Sequence, residues 1–129
     1  MPPLYPHSRT ALADSRAVAV TWSLMAALAV TWIAHRWLPQ VAGWNIFHLN
    51  FAAFCMAASA HLFLSFRHAC PQCGKHPTIQ GFKPPHPSSL TQSKVSGWGG
   101  VVVNILRRRR LVCIHCGAEY RIEQQLMRQ

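Results

Sequence analysis

Only 12% of this 129-residue chain is charged, about half the usual share, while 50% of it is hydrophobic. Its 13 Lys and Arg outweigh 3 Asp and Glu, a formal net charge of +10 that favours anionic partners and leaves little material for paired-carboxylate catalysis. Ten of the 13 basic residues lie at or after Arg67, so an apolar front precedes a basic, polar back, and this split argues against one uniformly water-soluble body.

Residues 1–16 read as a cytoplasmic N-terminal segment carrying Arg9, Arg16 and the acid Asp14. Ala17 to Leu38 then reads as a transmembrane helix. Ala17 to Ala34 is free of charge, and ~20 residues rising ~1.5 Å each cross a ~30 Å hydrocarbon core. Arg16 and Arg36 stand at its ends, and Trp22, Trp32 and Trp37 suit interfacial belts. A short connection from Pro39 to Gly43 leads to a second span, Trp44 to Phe66, which holds no Lys, Arg, Asp or Glu. A connection this short makes the two helices antiparallel neighbours. Basic residues precede the first span and follow the second at Arg67 and Lys75, whereas only Arg36 flanks the connection. The expectation is an integral protein of a bacterial inner membrane with both termini cytoplasmic.

Within the second span, His48, Asn50, Ser59 and His61 meet lipid unfavourably unless turned toward a partner. His48, Asn50 and His61 are therefore expected to make intramembrane polar contacts. Small residues at four-residue spacing, Ala19, Ser23 and Ala27 on one helix and Ala53 and Ala57 on the other, predict close helix approach. Cys55, mid-span, reads as a small buried apolar residue.

Cys70-Pro71-Gln72-Cys73-Gly74 and Cys113-Ile114-His115-Cys116-Gly117 are two copies of one pattern, C-x-x-C-G. A tight turn lets both thiolates of a copy face one ion, and the glycine permits the turn. Two copies supply Cys70, Cys73, Cys113 and Cys116 as four metal ligands in tetrahedral geometry. A reducing cytoplasm opposes disulfides, so the expected topology and the ligand reading support each other. His68, His76 and His115 are expected to support the ligands or meet solvent rather than bind metal.

These paired knuckles resemble those of zinc ribbons and, more distantly, of rubredoxins. The resemblance covers the Cys motifs and their flanks. It implies short strands beside the knuckles, placed at Thr78 to Phe82, Arg110 to Val112 and Ala118 to Glu123. It also implies bound Zn2+ in preference to iron, since rubredoxin-like sites have aromatic cover and Tyr120 is the one aromatic near a knuckle in sequence. The fold class expected is thus an α-helical membrane hairpin followed by a small β-type zinc ribbon over residues 67–129. Lys83 to Gly100, rich in Pro, Ser and Gly, reads as an irregular loop inserted between the ribbon halves.

Arg107, Arg108, Arg109 and Arg110 follow the apolar run Val101 to Leu106. They read as solvated strand residues or as a patch for anionic lipid headgroups or a partner, with Trp98 and the apolar run dipping into the same interface. Nucleic acid is a weaker candidate, for no interleaved aromatics accompany the run. Four thiolates leave a metal no open position for water, and no phosphate loop, nucleophile elbow or H-E-x-x-H is present. The chain therefore reads as a non-catalytic accessory, assembly or scaffold subunit of a membrane complex. An iron-bearing electron-transfer protein and a membrane-tethered nucleic-acid regulator are the alternatives.

Overall fold

A computed structural model describes residues 1–37, 44–90, 95 and 97–123. Its elements in chain order are α1 (Ser8–Trp37), α2 (Trp44–Phe66), α3 (Pro87–Leu90), α4 (Gly97–Arg108), β1 (Arg110–Val112) and β2 (Glu119–Arg121). The helix end placed at Leu38 and the connection Pro39 to Gly43 lie outside the described residues.

Both long helices are apolar because their sequence leaves no charged face to present to water, and both are long and apolar enough to cross a membrane. They pack along their length, and at one end the rings of Trp32 and Phe47 lie 5.9 Å apart. Only 6% of the most apolar window of each is buried, so side chains such as Val30, Ile33, Leu49, Met56 and Phe63 face outward. The expected small-residue contact holds in part. Ala27, Ala53 and Ala57 are half-buried, but Ser23 is exposed and its hydroxyl donates to the Ala19 carbonyl of its own helix. Cys55 is also exposed on α2, contrary to the buried position expected for it.

α1 begins at Ser8, nine residues earlier than the span read from sequence. Thirty residues make a helix of ~45 Å, ~15 Å more than a hydrocarbon core requires. The surplus is used at the N-terminal end, where Ser8, Ala11, Asp14, Ser15 and Val18 are buried at helical spacing against the small domain. Residues 1–16 are consequently part of that domain's core rather than a separate segment. Tyr5 and Ala11 share one apolar cluster with Ile105, Leu111, Ile114, Tyr120 and Ile122. Ahead of the helix, the Tyr5 amide donates to the Arg121 carbonyl at 2.9 Å and the Arg121 amide to Pro3 at 2.8 Å, so the N-terminal residues pair with the free edge of β2.

The small domain is less β-rich than the ribbon resemblance implied. β1 and β2 form one antiparallel pair, with Leu111 opposite Tyr120 and Val112 opposite Glu119. These strands match two of the three expected. Thr78 to Phe82 is not a strand but a turn followed by irregular chain that bends at Phe82. The inserted segment from Lys83 to Gly100 is not uniformly irregular. It contains α3 and the first turn of α4, and the His86 amide donates to the Ile114 carbonyl at 2.7 Å, fastening the insert to the second knuckle. Val101 to Leu106 is helical rather than a strand. Val101, Val102 and Ile105 are buried at a helical interval, which marks an amphipathic helix lying on α1 and the sheet, not an apolar run entering lipid. α4 runs back along α1: Trp98 at its start lies 5.8 Å from the Trp22 ring, and its last residue lines a groove together with Leu4.

A buried polar cluster joins the helices to the small domain. The Asp14 side chain is fully enclosed. His61 Nδ1 donates to one of its oxygens at 2.6 Å and His68 Nε2 to the other at 3.1 Å, while the Ser65 hydroxyl lies 3.2 Å from both. Thr78 donates to Ser65 at 3.2 Å, and the Tyr5 hydroxyl lies 3.3 Å from His68 Nδ1 while donating to the Ala69 carbonyl at 2.9 Å. One carboxylate thus gathers α1, α2 and the chain leading into the first knuckle. Removing it strands the enclosed His68 imidazole and Ser65 hydroxyl and takes the acceptor from the partly exposed His61, which costs more than the bonds themselves return. Asp14→Ala is expected to destabilise the protein by about 3 kcal/mol, read as a lower melting temperature in mild detergent. Ile105→Ala, which empties a fully buried site, is expected to cost about 2–5 kcal/mol in the same measurement.

Candidate metal centre

The two C-x-x-C-G copies fold alike. In the first, the Gly74 amide donates to the Cys70 carbonyl at 2.8 Å and the Cys70 amide to Lys75 at 2.8 Å. In the second, Gly117 donates to Cys113 and Cys113 to Ala118, both at 2.9 Å. Each turn closes on a residue with positive φ, 70° at Gly74 and 75° at Gly117, where a side chain would be strained. Gly117 has a second reason to lack a side chain, because His86 and Ser88 crowd the space a Cβ would occupy.

The turns face each other and bring all four sulfurs within 4.8 Å of one another. Cys70 Sγ lies 3.7 Å from Cys116 Sγ, and Cys73 Sγ lies 3.7 Å from Cys113 Sγ. A tetrahedral ion with metal–sulfur bonds of ~2.3 Å sets its sulfurs ~3.8 Å apart, whereas a disulfide needs ~2.05 Å. The donor set therefore fits one metal ion and a zinc ribbon. Cys70 and Cys113 are buried, and Cys73 and Cys116 are half-buried.

Burial pushes the Cys70 thiol up, but the backbone amides of Cys73 and Gln72 and the Tyr120 hydroxyl favour its thiolate more strongly and bring it down to about 7. Burial dominates at Cys113 and raises it, against the amides of His115 and Cys116. Cys116 is raised for the same first reason. The Tyr120 hydroxyl, 3.8 Å from Cys70 Sγ, is pushed up to about 12 by burial and by its hydrogen bond to that sulfur, so it remains a donor to the ligand. The backbone amides around Cys70 thus favour its thiolate, whereas burial disfavours the thiolate at Cys113, where a bound cation would offset that cost.

The nearby histidines are engaged elsewhere. His115 Nε2 lies 3.2 Å and 3.1 Å from the carbonyls of His76 and Ile79, bracing the second knuckle on the first. His76 Nδ1 donates to the His68 carbonyl at 2.9 Å, and His68 belongs to the Asp14 cluster. Of the polar residues for which intramembrane contacts were expected, His61 meets Asp14 and stacks on Trp98 at 5.7 Å. Asn50 is half-buried on α2, and His48 is exposed with its ring 6.0 Å from Phe47. Arg107 and Arg108 end α4 on its exposed side, Arg109 is half-buried, and Arg110 pairs with Glu119 at 3.1 Å.

Sequence reasoning missed Asp14 and Tyr5. A lone acid just ahead of an apolar run, with His and Ser at four-residue spacing (His61, Ser65) and His68 just after the second, was the available signal. Comparison with protein families, with curated proteins and with solved structures returned no match.

Proposed function

We propose that the protein is an integral membrane protein whose two long helices cross the bilayer with both termini on the cytoplasmic side. In this reading its ribbon holds Zn2+ through Cys70, Cys73, Cys113 and Cys116, and the whole serves as a non-catalytic accessory or assembly subunit of a larger membrane complex. The observation that carries it is the tetrahedral spacing of four sulfurs in a domain stitched onto the first turns of α1. Zinc bound there supplies no reaction; it supplies the cross-link that a domain this small needs in place of a larger core.

Two features support the membrane reading. The outward faces of both helices are apolar where a soluble bundle would carry charge. A cleaved leader is disfavoured because removing the start of α1 would take Tyr5, Ala11 and Asp14 out of the small domain's core. Apolar, outward-facing α1 and α2 then provide surface for lipid and for neighbouring membrane subunits, and the exposed Arg16 and Arg67 stand where anionic headgroups would meet them.

Iron is the second reading, and one observation favours it. Tyr5 packs on Tyr120 with ring centroids 5.4 Å apart, so the sulfurs have more aromatic cover than the sequence suggested. An iron site would make the protein an electron carrier. Absorbance separates the two, since a purified protein with stoichiometric metal is colourless with zinc and coloured with iron.

Cys73→Ser and Cys116→Ser are expected to lower bound metal below a tenth of the wild-type content, measured by elemental analysis. They should also expose the segment from residue 67 onward to protease while α1 and α2 stay in the detergent micelle. Full metal content in both variants would remove this site.

A further inference from the structure

The end of α4, the β1–β2 pair and the N-terminal segment surround a groove of about 510 Å³. Leu4, Arg108, Arg109, Arg110, Arg121 and Glu123 line it. Three features set it apart from a solvated basic surface. First, Arg109 is the one non-glycine among the described residues with positive φ, at 55°. An arginine gains nothing intrinsic from that conformation, which is usually left to Gly or Asn at a helix end. Second, Arg109 Nη1 is buried and has no hydrogen-bond partner among the described residues. An unpaired guanidinium donor is an unmet polar group, and although this nitrogen is itself closed to water, it belongs to a half-buried residue that lines the groove. Third, the charge does not balance. Arg110 pairs with Glu119, and Glu123 is the other acid at the site, so the four arginines keep two positive charges in excess.

We propose that this groove is a binding site for a dianionic phosphomonoester group, carried by a soluble ligand or by a lipid headgroup. Guanidinium forks match phosphate oxygens bidentately, and an excess of two charges matches a monoester rather than the single charge of a phosphodiester. The absence of an aromatic from the groove lining removes the stacking platform that single-stranded nucleic acid uses. A headgroup of the protein's own bilayer carries the same chemistry. Trp98 lies beside Trp22, and Arg108 stands ten residues, ~15 Å of helix, beyond it. Arg16, where headgroups would meet α1, is six residues, ~9 Å, from Trp22 in the same direction, which leaves the groove within the ~8 Å over which headgroup charge is felt at physiological ionic strength. This placement rests on the membrane reading above; the groove itself does not.

The test uses the full chain in nanodiscs, with inorganic phosphate as the probe and bound metal measured on every sample. In phosphatidylcholine discs the wild type is expected to bind one phosphate saturably. Arg121→Ala and Arg109→Asn, the latter chosen because Asn tolerates positive φ, are each expected to weaken binding about tenfold while keeping full metal content. Arg121→Lys is expected to recover only part of the loss, since lysine keeps the charge but not the fork. Discs containing phosphatidic acid distinguish the two sources: an unchanged titration assigns the groove to a soluble phosphomonoester, and suppression assigns it to a lipid headgroup. No saturable binding by metal-replete wild type, or unaltered binding in both variants, overturns the site. Tight binding of single-stranded DNA that phosphate does not compete away reassigns it to nucleic acid. Loss of metal in the wild type would instead indict the zinc reading, and so the two failures are distinguishable.

Discussion

Four thiols drawn from two turns that are 39 residues apart in the chain occupy a volume sized for one ion, and the small domain is organised around them. Its sheet is two strands of three residues each. So little sheet cannot bury enough apolar surface to offset the conformational entropy of ordering the segment. What closes the domain is the pairing of two matching turns, each held by the same amide-to-carbonyl bonds and each ending on a glycine in the left-handed region. Cys70 and Cys113 also lie in the same apolar cluster as Ile105, Leu111 and Ile114, so the ligands belong to the core instead of decorating its edge.

The second constraint is the attachment of this domain to the long helices. A ribbon tethered by its first knuckle alone would swing on the chain between Phe66 and Cys70. Instead α1 extends ~15 Å past what a bilayer needs and becomes one wall of the domain, with α4 laid antiparallel along it. Asp14 fixes the angle between the parts. Its two oxygens are shared among His61 and Ser65 on α2 and His68 beyond it, and in a site closed to water these bonds permit little relative motion. From there a run of polar contacts continues through the His68 and His76 carbonyls to His115 in the second knuckle. Helices and cysteine turns therefore form one connected unit.

The arginines acquire their meaning from this geometry. As a sequence run they read as solvated strand residues or as a patch for anionic headgroups or a partner. The structure splits them, with Arg107 on the exposed end of α4, Arg110 tied to Glu119, and Arg109 turned into a strained conformation with a buried donor. Arg121, distant in sequence, joins the same groove because β2 pairs with β1.

The sequence by itself determined the features that depend on local chemistry. The two charge-free stretches became long helices because each is uninterrupted and apolar. The metal turns formed where C-x-x-C-G occurs, because the glycine is needed at that one φ. Arg110–Val112 and a strand within Ala118–Glu123 followed from their flanking the second turn. Only the tertiary structure decided what depends on distant neighbours. Gly97–Arg108 became a helix, although its glycines and β-branched valines favour other states, because α1 offers an apolar surface at helical spacing. Thr78–Phe82 is not a strand, and the free side of β2 is taken instead by the N-terminal residues, which no local pattern foretold. Asp14 was legible as a charge but not as a keystone, since His61 and His68, 47 and 54 residues away, reach it only once the helices pack antiparallel.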